Sequence, residues 1–183
     1  MAKIAAHEFV SLDGVYENPS WTAPYGFTDK MGEALGAITG GASAILLGRR
    51  TWEMFAPAWD GRTAEDDPGA PFFNDTTKHV VSSSLEDTSA WRNSQVLGAY
   101  DAAAIRALKD AEEGDIYISG SGTLVRALLA DGLLDELHLL VYPVALGEGE
   151  HLLDAGTSAK LALLGTEGFD NGVVHLTYGP AAD

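Results

Sequence analysis

The chain reads Ile116-Tyr117-Ile118-Ser119-Gly120-Ser121-Gly122-Thr123-Leu124, an apolar run that ends in a glycine-rich turn. Residues 115–119 predict a β-strand, and residues 123–130 predict a helix that begins directly after the turn. The same order occurs earlier, where the apolar run 42–47 leads through Gly48 into a predicted helix beginning Arg49-Arg50-Thr51-Trp52. Two strand-to-helix junctions of this kind indicate an α/β domain built on parallel strands.

The remaining segments extend this pattern over one domain, residues 1–183. Further strands are predicted at 3–12, 79–83, 95–98, 134–144, 161–168 and 173–178. Helices are predicted after Thr28 and after Asp101, both residues that cap helix N-termini. Asp170-Asn171-Gly172 joins the last two strands and is typical of a β-hairpin. Residues 57–76 show little periodicity and predict a surface loop. We therefore expect a mostly parallel central sheet with an antiparallel C-terminal hairpin.

The composition excludes several classes of site and partner. The sequence has no cysteine, so disulfides, thiolate nucleophiles and cysteine-ligated metals are excluded. A formal net charge of −16 disfavours binding to nucleic acid, and the histidines show no metal-ligand spacing. No apolar run approaches the ~20 residues of a membrane span, and Glu8 interrupts any apolar core of a signal peptide. We expect a soluble, cytoplasmic protein that binds a small molecule, with neither a membrane nor a nucleic acid as partner.

Both junctions have the chemistry of an anion site. In open α/β sheets, ligands bind beyond the carboxyl ends of the strands, where helix N-termini present free N–H groups. Arg49 and Arg50 add two cations at the first junction, although they could equally be solvated side chains that cover a helix end. Gly120-Ser121-Gly122 matches neither the P-loop nor the usual dinucleotide fingerprint, and alone it would indicate only a turn. Ser82-Ser83 lies at the end of a third strand, where a turn or a helix cap is the simpler interpretation.

Taken together, the junctions carry a family resemblance that covers nearly the whole chain. It rests on Ser11-Leu12-Asp13-Gly14, on residues 44–53 and 116–124, and on Asp135-Glu136-Leu137 with the later Tyr142-Pro143-Val144-Ala145-Leu146-Gly147-Glu148-Gly149. The order and spacing resemble the dihydrofolate reductase superfamily, and within it the C-terminal reductase domain of the riboflavin-biosynthesis protein RibD. The resemblance implies a dihydrofolate reductase-like α/β fold with three layers, α/β/α.

The resemblance also implies NADPH as cofactor and a homodimer. It assigns cofactor binding to Gly48, Arg49, Arg50, Thr51, Ser82, Ser83, Gly120, Ser121, Gly122, Thr123 and Leu124. Residues 48–51 would hold the pyrophosphate and the adenosine 2′-phosphate, and Ser82 and Ser83 would line the 2′-phosphate side. Residues 120–124 would receive the pyrophosphate and the nicotinamide ribose. In these reductases the peptide bond equivalent to Gly120-Ser121 is typically cis.

The implied activity resembles that of 5-amino-6-(5-phosphoribosylamino)uracil reductase, which reduces a ribose to a ribityl group by hydride transfer. Two alternatives stay open: a catalytically silent NADPH-binding sensor or accessory protein, and a dihydrofolate or carbonyl reductase of the same superfamily.

Candidates for the substrate side are fewer and less distinctive. Asp13 is the candidate catalytic residue, although Asp-Gly is also a common turn pair. Trp21 and Tyr25, from the long loop 17–27, and Trp52 could form walls of the pocket, and Trp52 could equally be a core residue. Asp29 is a candidate carboxylate on the first helix, where it could also be simply a helix-start charge.

Overall fold

Eight strands form one sheet in the computed structural model, which describes residues 1–182. The strands are β1 (Ile4–Ser11), β2 (Ala42–Gly48), β3 (Thr77–Val81), β4 (Ser94–Gly98), β5 (Asp115–Ser119), β6 (Glu136–Tyr142), β7 (Leu161–Gly168) and β8 (Val174–Pro180). Their order across the sheet is β4-β3-β2-β5-β1-β6-β8-β7. Neighbours among β1 to β6 are parallel, whereas β8 is antiparallel to β6 and β7. The predicted mostly parallel sheet with an antiparallel C-terminal pair is confirmed.

Helices cover both faces of this sheet. They are α1 (Asp29–Thr39), α2 (Arg49–Trp59), α3 (Ala70–Asp75), α4 (Ala102–Ala111), α5 (Gly122–Ala130) and a short 3-10 helix, Pro19–Tyr25. On β2, Leu46 packs in a core cluster with residues of α4 and α5, while Ile45 and Leu47 pack in another cluster with Trp52 of α2. Successive strand residues therefore face opposite helix layers, as an α/β/α sandwich requires.

The best predicted elements are those whose signals are local. Residues 44–47 of β2 are completely buried, as expected for an apolar run in the middle of a parallel sheet. Thr28 caps α1 by accepting a hydrogen bond from the Met31 N–H. Asp101 caps α4 in the same way, accepting from the N–H groups of Ala103 and Ala104. Both predicted caps are confirmed.

The prediction of a surface loop over residues 57–76 is wrong in part. The helix α2 continues to Trp59 despite Pro57, and a second helix, α3, occupies Ala70–Asp75. The buried side chain of Asn74 stabilises this segment by donating to the carbonyl groups of Trp59 and Arg62. These bonds join distant positions, so the local sequence pattern does not reveal them.

The carboxyl ends of β1, β2 and β5 meet at one edge of the sheet, but β1 extends further than β5. The last residue of β5, Ser119, pairs with His7, whereas β1 continues to Ser11. The segment of β1 after His7 therefore keeps β6 as its neighbour and loses β5. This early end of β5 opens a gap in the middle of the sheet.

Candidate functional site

The two strand-to-helix junctions are hydrogen-bonded to each other. The Gly48 N–H donates to Ser121 Oγ at 2.9 Å, and this hydroxyl donates to Thr51 Oγ1 at 3.0 Å. Gly120 and Ser121 both have left-handed backbone conformations, with φ of +63° and +64°, and this sharp turn sets the start of α5 beside that of α2. Residues 1–182 contain no cis peptide bond, so the Gly120-Ser121 bond is trans, unlike the one that the resemblance implies.

One cavity of about 860 Å³ opens between these junctions. Of the eleven predicted cofactor-binding residues, nine line it: Gly48, Arg49, Arg50, Thr51, Gly120, Ser121, Gly122, Thr123 and Leu124. The other two, Ser82 and Ser83, directly follow Val81, which lines the cavity at the end of β3. Ser82 Oγ accepts hydrogen bonds from the main chain of Ser84 and Leu85, as a turn residue does. The structure thus brings the two glycine junctions together and leaves Ser82 and Ser83 just beyond.

The two helices that start at the cavity differ from α1 and α4 at their N-termini. Thr28 and Asp101 cap α1 and α4, but within residues 1–182 no side chain of the N-cap residue caps α2 or α5. The first N–H groups of a helix have no partner inside the helix and need one from a side chain, water or a ligand. Two uncapped N-termini on one cavity are therefore suited to an anionic ligand.

The cations at the first junction leave room for such a ligand. Arg49 Nη1 donates to Glu53 at 2.9 Å, one turn further along α2. The Arg50 side chain is 85% exposed, and its one ion pair within residues 1–182 is a long contact of 3.9 Å with Glu150 Oε2. An exposed guanidinium can reorient towards a phosphate group, whose geometry matches its paired donors.

Tyr16 and Glu150 line the cavity, and Arg126 binds Glu150. Tyr16 Oη donates to Glu150 Oε1 at 3.0 Å, and Arg126 Nη2 lies 3.3 Å from the same oxygen. Burial and the Glu150 carboxylate raise the pKa of Tyr16 to about 12, so the phenol stays a hydrogen-bond donor. The Tyr16 ring lies against Gly122, where a Cβ atom would be 2.6 Å from Tyr16 Oη.

Two buried polar residues of β1, His7 and Glu8, line the same cavity. Their exposed fractions are 3% and 2%, and within the described chain neither Glu8 Oε1 nor His7 Nε2 has a hydrogen-bond partner. Burial raises the pKa of the Glu8 carboxyl well above its usual range. Burial, together with His138 and His175, lowers the pKa of His7 to about 3. Both side chains are therefore favoured in their neutral forms.

Sequence reasoning missed His7 and Glu8 as site residues. The available signal was a pair of ionisable residues inside the otherwise apolar strand 3–12. The main chain of β1 adds further polar groups on the side that faces β5. There the His7 carbonyl accepts a hydrogen bond from the Gly120 N–H at 3.3 Å. Alternate residues of a strand direct their N–H and C=O groups to the same side, so Phe9 presents its main-chain groups to the gap left by β5.

The structure gives Asp13 a different environment. Its carboxylate accepts from Ser11 Oγ at 2.5 Å and from the N–H groups of Leu146 and Gly147. These hydrogen bonds hold its pKa well below its usual range. Asp13 is not among the residues of 1–182 that line the cavity, and its contacts are those of a turn residue that fixes the 146–147 loop.

The four predicted pocket residues also lie outside this cavity lining. Trp21 and Tyr25 pack edge-on against Tyr142, with ring centroids 5.6 and 5.5 Å apart. Trp52 is a core residue whose Nε1 donates to Ser94 Oγ at 2.9 Å. Asp29 is exposed in the first turn of α1. Among the described residues, no cluster of three or more His, Asp or Glu side chains could hold a metal, and no helix could span a membrane.

Comparison with known proteins identifies the family of the chain. The sequence matches the RibD C-terminal domain family over residues 2–175. The chain belongs to that family. A relative from Bacillus subtilis (strain 168), the uncharacterized protein YyaP, is 26% identical over 183 residues, covering 92% of this chain and 90% of its own.

Solved structures show the same fold. A putative riboflavin biosynthesis protein from Shewanella sp. PV-4 superimposes with a TM-score of 0.80 at 19% identity, covering 100% of both chains. A dihydrofolate reductase from Enterococcus faecalis, in complex with NADP(H), gives a TM-score of 0.65 at 17% identity, covering 98% of this chain and 97% of its own. The fold is therefore dihydrofolate reductase-like.

Proposed function

We propose that this RibD C-terminal domain protein is an NADPH-dependent reductase. Its activity would resemble that of 5-amino-6-(5-phosphoribosylamino)uracil reductase, with hydride transfer to a small heterocyclic or sugar-imine substrate. The observation that carries the proposal is the pair of uncapped helix N-termini, α2 and α5, that open beside Arg49 and Arg50 onto one cavity.

The residues present fit this cofactor. A dinucleotide pyrophosphate needs N–H donors, which the first turns of α2 and α5 supply. Arg49 and Arg50 supply charged donors for the separate 2′-phosphate, with Ser82 and Ser83 at the end of β3 on that side. The chain carries a formal charge of −16, so binding of an anion depends on this local set of donors.

The inner part of the cavity suits the reacting groups. Phe9 and Phe55, both partly buried, provide apolar lining there. The main chain of Phe9, beside the end of β5, is suited to an amide such as a carboxamide. When bound, NADPH supplies a hydride, and the protein residues orient the acceptor beside it.

Fluorescence titration of the purified protein with NADPH and NADH tests the cofactor. We expect saturable binding with a preference for NADPH, because NADH lacks the 2′-phosphate that the arginines would contact. Absence of saturable binding to either nucleotide would refute the proposal. Complementation of a riboflavin auxotroph tests the pathway, and growth would also exclude the alternative of a catalytically silent NADPH sensor.

We also propose that the protein is a homodimer, as the family resemblance implies. One of the two edge strands, β7, carries Leu163 and Leu164 with exposed fractions of 55% and 57%. Exposed apolar residues on an edge strand favour association. Size-exclusion chromatography with light scattering should give twice the monomer mass, and a monomer at all concentrations would contradict the proposal.

A further inference from the structure

Glu8 is a buried carboxyl group that the fold does not use. Its Oε1 atom is buried without a hydrogen-bond partner in the described chain, and its side chain takes part in no ion pair there. An unpaired polar group in a protein interior is destabilising, so its presence needs an explanation.

The position of Glu8 supplies one. It lies one residue beyond His7, the last residue of β1 that pairs with β5, and it lines the cavity at this gap in the sheet. A group at the inner end of a cavity, away from bulk water, lies where a bound substrate would meet it. The outer part of the same cavity carries the arginines and the helix N-termini.

We propose that the Glu8 carboxyl donates the proton that the reduction requires. This inference rests on the reductase function proposed above. The substrate carbon of a C=N or C=O bond accepts a hydride from NADPH, and the π-electron pair of that bond moves to the nitrogen or oxygen. That atom takes the proton from Glu8 as the Glu8 O–H bond breaks. The products are NADP⁺, the reduced substrate and the Glu8 carboxylate, which water reprotonates.

The surroundings of Glu8 are suited to an acid of this kind. Burial favours its protonated form at neutral pH. The ionisable groups around it are Tyr16 from the loop after β1, Tyr117 from β5 and His7 from β1 itself. Burial and Glu150 raise the pKa of Tyr16 to about 12, and burial raises the pKa of Tyr117 well above its usual range, so both phenols stay neutral. His7 is also neutral, and the Glu8 carboxyl takes part in no ion pair within residues 1–182 that would favour its ionised form.

A carboxyl-labelled sample of the full chain tests this role without turnover. In an NMR spectrum with ¹³C at every glutamate carboxyl, the resonance missing from Glu8→Gln is that of Glu8. Glu65→Gln is the control, since it makes the same substitution at an exposed glutamate. The Glu8 signal should remain that of a protonated carboxyl at pH 7. Bound NADP⁺ should lower its titration midpoint by about one pH unit relative to bound NADPH, because only the oxidised ring is positively charged.

The same coupling predicts nucleotide affinity. NADP⁺ affinity, relative to NADPH, should increase about tenfold as the pH rises through the Glu8 transition. Glu8→Gln should remove this increase and Glu65→Gln should keep it. If Glu8 had only a structural role, the ratio of NADP⁺ to NADPH affinity would not depend on its titration.

The outcomes separate the two proposals. Saturable binding of both nucleotides with equal effects on the Glu8 signal, or titration of Glu8 together with the exposed glutamates, would overturn the proton-donor role alone. No binding of either nucleotide to the wild-type protein would overturn the reductase function and, with it, the proton-donor role.

Discussion

Arg50 is the residue whose contacts leave most freedom for a ligand. Its side chain is 85% exposed, and its contact with Glu150 is 3.9 Å long. We expect the double variant Arg49→Ala, Arg50→Ala to bind NADPH at least about tenfold more weakly, because a charge-assisted hydrogen bond contributes about 1.5–3 kcal/mol. NADH affinity should change less than about twofold, since NADH has no 2′-phosphate.

The fluorescence titration measures both affinities. Arg92→Ala is the matched control, because this exposed arginine bonds Asp75 at 2.7 Å and does not belong to the cavity lining of residues 1–182. Equal losses of NADPH and NADH affinity in the double variant would exclude a role in selecting the 2′-phosphate.

Gly122 is the junction residue with the least space for a side chain. A Cβ atom there would lie 2.6 Å from Tyr16 Oη and 2.8 Å from Tyr16 Cε2, so the ring would have to move and lose its bond to Glu150. We expect Gly122→Ala to lower the free energy of unfolding by about 1–3 kcal/mol, measured by urea denaturation. Adding Tyr16→Ala should restore part of the loss.

Gly36→Ala provides the comparison for a helical glycine with free space. Apart from its chain neighbours and the backbone of α1 itself, no atom of residues 1–182 lies within 4 Å of its added Cβ. The substitution should stabilise α1 by about 0.5–1 kcal/mol. Stability of Gly122→Ala equal to that of the wild type would show that Tyr16 has alternative positions.

The residue types at the two junctions predict the outer part of the cavity, with its arginines and helix N-termini. They do not predict the inner part, where Glu8 lies. Glycines and arginines after a strand have a direct chemical meaning, and the structure places both junctions on one cavity. Glu8 carries no such signal, because its role depends on where β5 ends relative to β1. That difference in strand length is not encoded near Glu8 in the sequence.

At the scale of elements, α1 and α4, which have their own capping residues, were predicted, whereas α3 was missed. The helices α2 and α5 have no side-chain cap from the N-cap residue within residues 1–182 and were predicted instead from the glycine junctions that precede them. Thr28 and Asp101 cap α1 and α4 within three residues of their own position. The helix α3 follows Gly69, and within residues 1–182 no side chain at that position caps it. It depends instead on contacts with distant segments. Asn74 of α3 makes these contacts. Its side chain donates to the Trp59 carbonyl at the end of α2 and accepts from Trp91 Nε1 at 2.7 Å.

Asn74→Ala tests whether this residue holds the 57–76 segment together. The substitution leaves the Trp59 and Arg62 carbonyl groups and the Trp91 indole N–H without their bonds to this side chain. We expect the free energy of unfolding to fall by about 2–4 kcal/mol in urea denaturation. Asp75→Ala, in the same helix, removes an exposed ion pair and should cost at most about 1 kcal/mol. Similar small losses in both variants would contradict the assignment.

The whole molecule combines a strongly acidic surface with a neutral, buried pair of ionisable residues at the centre of its sheet. The charge and the parallel sheet were predictable from composition and periodicity. The strand order that sets β1 between β5 and β6, and so buries both His7 and Glu8, comes from long-range packing. For that reason the site's electrostatics could be obtained only from the folded chain.

This burial makes stability depend on pH. The pKa of His7 is about 3 in the folded protein, against about 6.5 in an unfolded chain. Between these values the unfolded state binds the proton and the folded state does not, so stability falls as the pH falls from 6.5 towards 3. The contribution of one such group reaches about 1.4 kcal/mol per pH unit.

His7→Gln should therefore reduce the slope of unfolding free energy against pH between 4 and 6 by up to about 1.4 kcal/mol per unit, measured by urea denaturation at each pH. Glu8 acts in the opposite direction, because its raised pKa lets the folded state keep a proton above pH 4.5 that the unfolded state loses. Because Glu8 contributes to the slope in both proteins, the test compares the slope of the variant with that of the wild type. His151→Gln, at an exposed loop position, is the control. If His7→Gln keeps the wild-type slope, His7 is protonated in the folded protein, and the neutral pair at the inner end of the cavity does not exist.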